Sequence, residues 1–352
     1  MAIIRNRAAY IVAKATPFQV REAPYPSPLP HEIVIKARAV AVNPVDWKLQ
    51  YQAIFDLKYP HILGEDVAGD VVEVGSAVDT IKVGDRVTAY AEGIPTRDPR
   101  NGAFQLYVAV SALMAAKIPA SLSFTAATVI PLGAATAAAG LFQEAYLHLP
   151  LPVPAQTDQE PVTSTASTDY VLLVWGGSSS VGSNAIQLAV ASGARVATTA
   201  SARNFDYAKG LGAEWVFDYN SPAVVDEIIA AVKKAGVRVA GVFDAIGGNA
   251  VVEACVDIVN IVGAHEATIA TVDPGRNSVL DGVPVRGVAA SDIGKNEVGR
   301  AIFHGFLPRA LETGQFLPKP DAWVVAEGLE GVQKGVDASR RGVSARKVIV
   351  TL

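Results

Sequence analysis

Val171-Leu-Leu-Val-Trp-Gly-Gly-Ser-Ser-Ser-Val-Gly-Ser-Asn-Ala-Ile-Gln-Leu188 decides the fold. The apolar run Tyr170 to Trp175 reads as a strand buried on both faces. Gly176 to Gly182 reads as a loop and Ser183 to Ala191 as a helix. Gly177 and Gly182 are the outer glycines of a G-x-x-x-x-G variant of the dinucleotide loop. Gly177 permits a tight turn and close backbone approach, and Gly182 lets the helix pack near the strand. Its N-terminus then faces a pyrophosphate. The alternative is a tight strand-to-helix turn with no ligand. The loop lacks the Lys-Ser/Thr ending of a triphosphate-binding P-loop.

Downstream, the chain alternates strand and helix. Strands are expected at Arg195 to Thr199, Trp215 to Phe217 and Val239 to Asp244, with helices at Phe205 to Leu211 and Val224 to Lys234. Such alternation implies a parallel sheet with right-handed crossovers. A helix at Glu297 to Glu312 and a closing strand at Arg346 to Leu352 follow, and Val283 to Val288 reads as a sheet edge. Upstream, short Val/Ile-rich runs at Ala9 to Val12, Ile33 to Val42, Val67 to Val74, Arg86 to Tyr90 and Phe104 to Val110 are separated by Pro, Gly, Asn and Asp. This is a β-rich region. An Ala-rich helix is expected from Phe124 to Tyr146, and residues 149–168, rich in Pro, Ser and Thr, read as an exposed insertion loop.

The second strand bears on the choice of nucleotide. An NAD site places an acid there, about 20 residues past the glycine loop. Here Thr198-Thr-Ala-Ser201 ends without one, 24 residues after Gly177. Ser201 can bond a 2′-phosphate, Arg203 follows, and Lys209 lies where a helix turns it toward that phosphate. A missing carboxylate and added cations favour NADP over NAD; the alternative is that both cations are solvated surface charges.

The 352 residues suggest roughly two domains at about 150 residues each. Hydrophobic residues make up 50% of the chain and charged ones 18%, which excludes a mostly disordered chain. With 30 Lys and Arg against 34 Asp and Glu, the net charge of −4 argues against nucleic-acid or anionic-membrane binding. The single cysteine, Cys255, excludes an internal disulfide and any multi-thiolate metal site. Its setting, Val-Glu-Ala-Cys-Val, reads as an ordinary helix with a buried thiol. No signal-peptide core or membrane-length apolar run is read, so a cytoplasmic location is expected.

Asn43-Pro-Val-Asp-Trp-Lys48, Leu63-Gly-Glu-Asp-Val-Ala-Gly69, Val71-Val-Glu-Val-Gly75 and Lys82-Val-Gly-Asp-Arg-Val87, with Asn204-Phe-Asp-Tyr-Ala-Lys209, Leu211-Gly-Ala213 and Phe217-Asp-Tyr219, carry a resemblance. The chain resembles the zinc-independent branch of the medium-chain dehydrogenase/reductase superfamily, with its quinone oxidoreductases and enoyl reductases. It looks most like the fungal trans-acting enoyl reductases and toxin-cluster oxidoreductases. The resemblance implies an α/β protein. A GroES-like, partly open β-barrel domain (1–125 and 317–352) encloses a Rossmann doubly wound parallel-sheet domain (126–316). It implies NADPH, with Ser201, Lys209 and Tyr219 at the 2′-phosphate and Ser179, Ser180 and Val181 at the pyrophosphate. The nicotinamide side maps to Asn43, Asp46 and Lys48, to Thr136 and to the loop Ala245-Ile246-Gly247.

Zinc-dependent relatives have Cys where this chain has Asn43 to Asp46, and Gly-His-Glu where it has Gly64-Glu65-Asp66, so no metal ligand is expected. His61 reads as a barrel-edge histidine. Reduction without a metal suits an electrophilic C=C, in an enoyl thioester, enone or quinone, borne by a small molecule or an acyl carrier. Lys48 is the candidate donor to the developing oxyanion, with Thr136 assisting. A solvent-facing Lys48 and a helix-interior Thr136 hydroxyl are the plain alternatives. A nucleotide-binding protein without hydride chemistry is the reading of another class. Whether the chain is a monomer or a homodimer stays open.

Overall fold

The computed structural model describes residues 5–155 and 170–352. The chain divides into two compact units, Met1–Leu132 with Pro318–Leu352, and Gly133–Leu317. Both ends of the chain therefore build the first unit. The sequence placed the divisions at 125/126 and 316/317.

The first unit is organised by one long strand, Glu32–Val42, whose sequence EIVIKARAVAV keeps most positions buried. Asp66–Val74 pairs with one edge of it along nearly its whole length. On the other edge its two halves take different partners. Tyr107–Ser111 pairs with residues 32–36, and the C-terminal strand Arg346–Thr351 with residues 39–42. Register shifts at Val34/Ile35 and Ala37/Ala39 bend the strand between them. Gly69 lies opposite Ala37 at this bend, and a Cβ on it would sit 2.1 Å from the Lys36 carbonyl oxygen. Only glycine permits that approach. Arg86–Tyr90 and Ala115–Lys117 extend the sheet on one side and Asp321–Glu327 on the other. A three-stranded sheet of Gln19–Ala23, Asn6–Ile11 and His61–Ile62 completes the unit around Ile33, Ile35, Leu63 and Phe104.

The second unit is a sheet in the order Trp215–Asp218, Arg195–Ala200, Tyr170–Trp175, Arg238–Asp244, Ile269–Thr271, Val283–Gly287, Asn277–Leu280. All pairings are parallel except the last. The helices Ser180–Ala191, Phe205–Gly210, Val224–Ala235 and Asn249–Ile261 connect or follow these strands. Tyr170–Trp175, first of the series, lies between Arg195–Ala200 and Arg238–Asp244, so strand order reverses beside it. Such a switch point is where open parallel sheets bind ligands. Cys255 is wholly buried against Val252, Val256 and Ile269, and burial pushes its thiol well above the usual range.

Several expectations change. The helix expected at Phe124 to Tyr146 is two, Phe124–Ala127 and Pro131–Phe142, because Pro131 starts a new helix. Phe124–Phe142 is nonetheless apolar and long enough to span a membrane, contrary to the reading above, but 78% of that window is buried within the protein. The strand expected from Phe104 begins at Tyr107. Upstream of it, the Phe104 N–H donates to Leu63 and its carbonyl accepts from Ala9. Residues 297–313 stay helical but pass through a π-helical turn at Ala301–Phe306. Val283–Gly287 is no edge, since Asn277–Leu280 pairs along it. Most of the loop read at 149–168 lies outside the described residues. The described part is tied down, with the Ala155 N–H donating to Gln315 Oε1 and the Val153 carbonyl accepting from Gln315 Nε2.

Candidate functional site

At the switch point the buried strand Tyr170–Trp175 runs into Gly176, at φ +87°. The helix then begins at Ser180, three residues before its expected start. Ser179 caps it, its Oγ accepting from the Gly182 N–H at 3.0 Å. Two threonines of the neighbouring strand fasten the turn. Thr199 accepts the Gly176 N–H at Oγ1 (2.9 Å) and the Gly177 N–H at its carbonyl, while Thr198 Oγ1 donates to the Val174 carbonyl at 2.6 Å. A Cβ on Gly177 would lie 2.2 Å from Thr198 Oγ1, and one on Gly182 2.2 Å from the Gly176 carbonyl oxygen. The two glycines thus let helix, turn and second strand close to backbone contact. They leave the first turn, with Ser180 and Val181 half-buried, as an anion-facing helix terminus. The sequence singled out the glycines but missed both threonines, whose role depends on strand pairing.

At the second strand tip, Ser201 is half-buried and its Oγ accepts from Asn204 Nδ2 at 3.1 Å. Arg203, Lys209 and Tyr219 are exposed. No carboxylate stands at the tip itself, Ala200–Ser201, although Asp206 and Asp218 follow on neighbouring elements.

The loop after the fourth strand is held by a carboxylate that sequence reasoning overlooked. Asp244, wholly buried, accepts the Ile246 and Gly247 N–H groups at one oxygen (both 3.0 Å) and the Thr271 hydroxyl at the other (2.7 Å). Burial raises its carboxyl above the usual range, against the pull of these donors. Asp273 accepts the Gly248 N–H at 2.7 Å. The turn presents Ile246 with 53% of its surface exposed, an apolar plate fit for a flat ring. Asp244→Ala frees two loop amides, and we expect a loss of about 2 kcal/mol in urea unfolding. Thr136 is buried within Pro131–Phe142.

The first unit gathers the remaining residues differently from expectation. Lys48 is exposed, its ammonium 5.8 Å from the Trp47 ring. Asp46, two positions earlier on the same helix, points inward, as helical spacing requires. It accepts the Asn43 N–H (2.8 Å) and the Gly64 N–H (3.0 Å). Burial pushes its carboxyl up to about 7, against those two donors. Asn43 Nδ2 donates to Asp66 at 2.7 Å, and its Oδ1 accepts from the Lys347 ammonium. Lys347 lies 2.9 Å from Asp66, and both are buried. The Leu132 N–H also donates to Asp66, at 2.6 Å. Glu65 is buried beside them, with the Tyr90 hydroxyl at 3.4 Å. Asn43 and Asp46 thus belong to a closed polar cluster that draws in Glu65, Asp66, Tyr90 and Lys347. Among the described residues no three of His, Cys, Asp and Glu are grouped to hold a metal ion. His61 is buried on its short strand, and burial lowers its pKa.

A parallel sheet with a glycine-turned helix terminus at its switch point, in one chain with a β-rich unit from both termini, is an arrangement suited to binding a dinucleotide. Residues 29–120 match the alcohol dehydrogenase GroES-like domain and residues 180–281 the zinc-binding dehydrogenase family. Dehydrogenase pigH of Monascus ruber is 44% identical over 379 residues, covering 99% of both chains. Trans-enoyl reductase himH of Aspergillus japonicus is 41% identical over 359 residues, covering 100% of this chain and 99% of that one. The quinone oxidoreductase of Pseudomonas syringae pv. Tomato DC3000 shares the fold, with a TM-score of 0.73 at 20% identity over 99% of this chain and 100% of that one. The chain belongs to the medium-chain dehydrogenase/reductase superfamily, with a GroES-like unit and a Rossmann unit, and is an oxidoreductase of the nicotinamide-using kind.

Proposed function

We propose that the chain is an NADPH-dependent, zinc-independent reductase of activated C=C bonds in enoyl thioesters or enones, with polyketide-like acyl groups, free or carrier-bound, as the substrate class. The observation that carries it is one chain holding both a dinucleotide cradle and a lysine-filled carboxylate cluster where zinc-dependent relatives bind metal. That donor set does not fit zinc. Asn43 spends both amide atoms, Asp66 is paired to Lys347, and among the described residues no thiolate or imidazole is grouped with them. The cradle does fit a dinucleotide, with glycines that exclude any Cβ and Ile246 and Tyr219 exposed at either end. A bound nicotinamide supplies hydride. Without a Lewis acid the acceptor must already be electrophilic, with a donor such as Lys48 or Thr136 at the developing oxyanion. The name of the himH relative, trans-enoyl reductase, supports the same reading.

NADPH oxidation assayed with enoyl thioesters and with quinones tests the substrate; turnover of quinones alone would replace this reading with a quinone oxidoreductase. A protein that binds NADPH and oxidises it with neither substrate would be a binding module. For the nucleotide, Lys209→Ala should weaken NADPH about tenfold and leave NADH unchanged. That is the low end of a charged hydrogen bond, since Lys209 is exposed. Equal loss for both nucleotides in fluorescence titration removes the 2′-phosphate role.

A further inference from the structure

To hold NADPH, the cradle of the second unit must grip phosphoryl groups with separate elements. The amides of the glycine turn belong to the start of Ser180–Ala191, whereas Arg203 and Lys209 lie on the turn Ala202–Asn204 and the helix Phe205–Gly210. Ser183, wholly buried, joins these elements through its hydroxyl. Its Oγ lies 2.7 Å from the Ser179 carbonyl, 3.2 Å from the Gly177 carbonyl and 2.8 Å from the Tyr207 hydroxyl. A serine has one proton to give, and the two carbonyls already compete for it. The Tyr207 O–H therefore donates and Ser183 Oγ accepts. Tyr207 is half-buried on Phe205–Gly210, two positions before Lys209. This hydroxyl pair ties the helix that carries Lys209 to the glycine turn.

We propose that Tyr207 is a positioning residue for NADPH, fixing the spacing between the pyrophosphate end and the 2′-phosphate end of the cradle and so favouring NADPH over NADH. This rests on the NADPH reading above. The covalent frame of the nucleotide limits how far apart its 2′-phosphate and pyrophosphate can lie. A protein that grips both must hold its own two sites at a matching distance, and a cradle already set there needs no ordering on binding. NADH lacks the 2′-phosphate and uses the glycine turn alone, wherever the helix Phe205–Gly210 sits. A tyrosine suits the task. Two torsions set its ring, against a flexible four-carbon stem for Lys209, so the stiff side chain places the helix and the flexible one follows the ligand. At the other end of the segment, Asn204 Nδ2 donates to Ser201 Oγ at 3.1 Å.

Tyr207→Phe keeps the ring and removes the hydroxyl. In fluorescence titrations of the full chain it should weaken NADPH about fivefold, the worth of one neutral hydrogen bond, and leave NADH unchanged. Calorimetry with adenosine 2′,5′-bisphosphate, which carries phosphoryl groups for both ends, should show the same loss, and 5′-ADP none. In a Ser183→Ala background, where the acceptor is gone, Tyr207→Phe should weaken NADPH no further. The same loss in both backgrounds, or NADPH affinity unchanged by Tyr207→Phe, overturns the proposal. So does an equal loss for NADPH and NADH, because a purely structural tyrosine disturbs both nucleotides alike. Lys209→Ala separates this failure from that of the NADPH reading. If Lys209→Ala discriminates between the nucleotides and Tyr207→Phe does not, the spacing role falls alone. If neither discriminates, the NADPH reading falls and the spacing role with it.

Discussion

Lys347→Met should lower the unfolding free energy by about 3–5 kcal/mol, the loss that follows when one partner of a buried ion pair is removed. Asp66 has no exposed surface, and without the ammonium its charge keeps only Asn43 Nδ2 and the Leu132 N–H. For a unit of this size that corresponds to a melting temperature lower by on the order of 10 °C. Denaturant unfolding of Lys347→Met, Asp66→Leu and the double variant measures it. The double variant should recover much of the loss, since an apolar pair leaves no charge stranded. A single variant as stable as wild type would mean that the pair carries nothing.

Gly182→Ala should damage the nucleotide cradle most. The new Cβ would meet the Gly176 carbonyl oxygen at 2.2 Å and the Gly177 Cα at 2.9 Å, both backbone atoms that no rotamer change can move aside. The helix must back away from the strand end and carry its N-terminal amides from the pyrophosphate position. We expect about 1–3 kcal/mol of lost stability, as for other overpacked sites, and at least about a tenfold loss of NADPH affinity. Gly305→Ala is the control, because its Cβ would find nothing nearer than 3.8 Å. Equal NADPH titrations for the two variants would refute the role given to Gly182.

The parts of the fold legible in the sequence are those with local pattern. Tyr170–Trp175 is found with the expected bounds, because a strand covered on both faces needs an unbroken apolar run. Asp321–Glu327 was missed. It is a largely exposed edge strand following two prolines, with no alternation to mark it. The helix Val332–Arg340 was missed too, its pattern interrupted by Gly335, where a Cβ would sit 3.1 Å from Val42. In the cradle, Gly177, Ser179 and Gly182 carry a spacing, whereas Thr198 and Asp244 act through sheet register. The cluster was least legible, because Lys347 meets Asn43 across 304 positions. A lysine inside Arg346-Lys-Val-Ile-Val-Thr351 was its one sequence signal.

The split pairing of Glu32–Val42 also orders events on the ribosome. The half from residue 39 to 42 waits for Arg346–Thr351, since Lys347 is made 304 positions after Asn43. All of Gly133–Leu317 emerges before that strand and is available to fold first, as units do during synthesis. Until then Asp66 has no cation beside it, and the ammonium that neutralises it arrives on the closing strand. Translation that stops before Arg346 would therefore leave the β-rich unit open along one edge and charged at its centre, a state quality-control proteases can recognise.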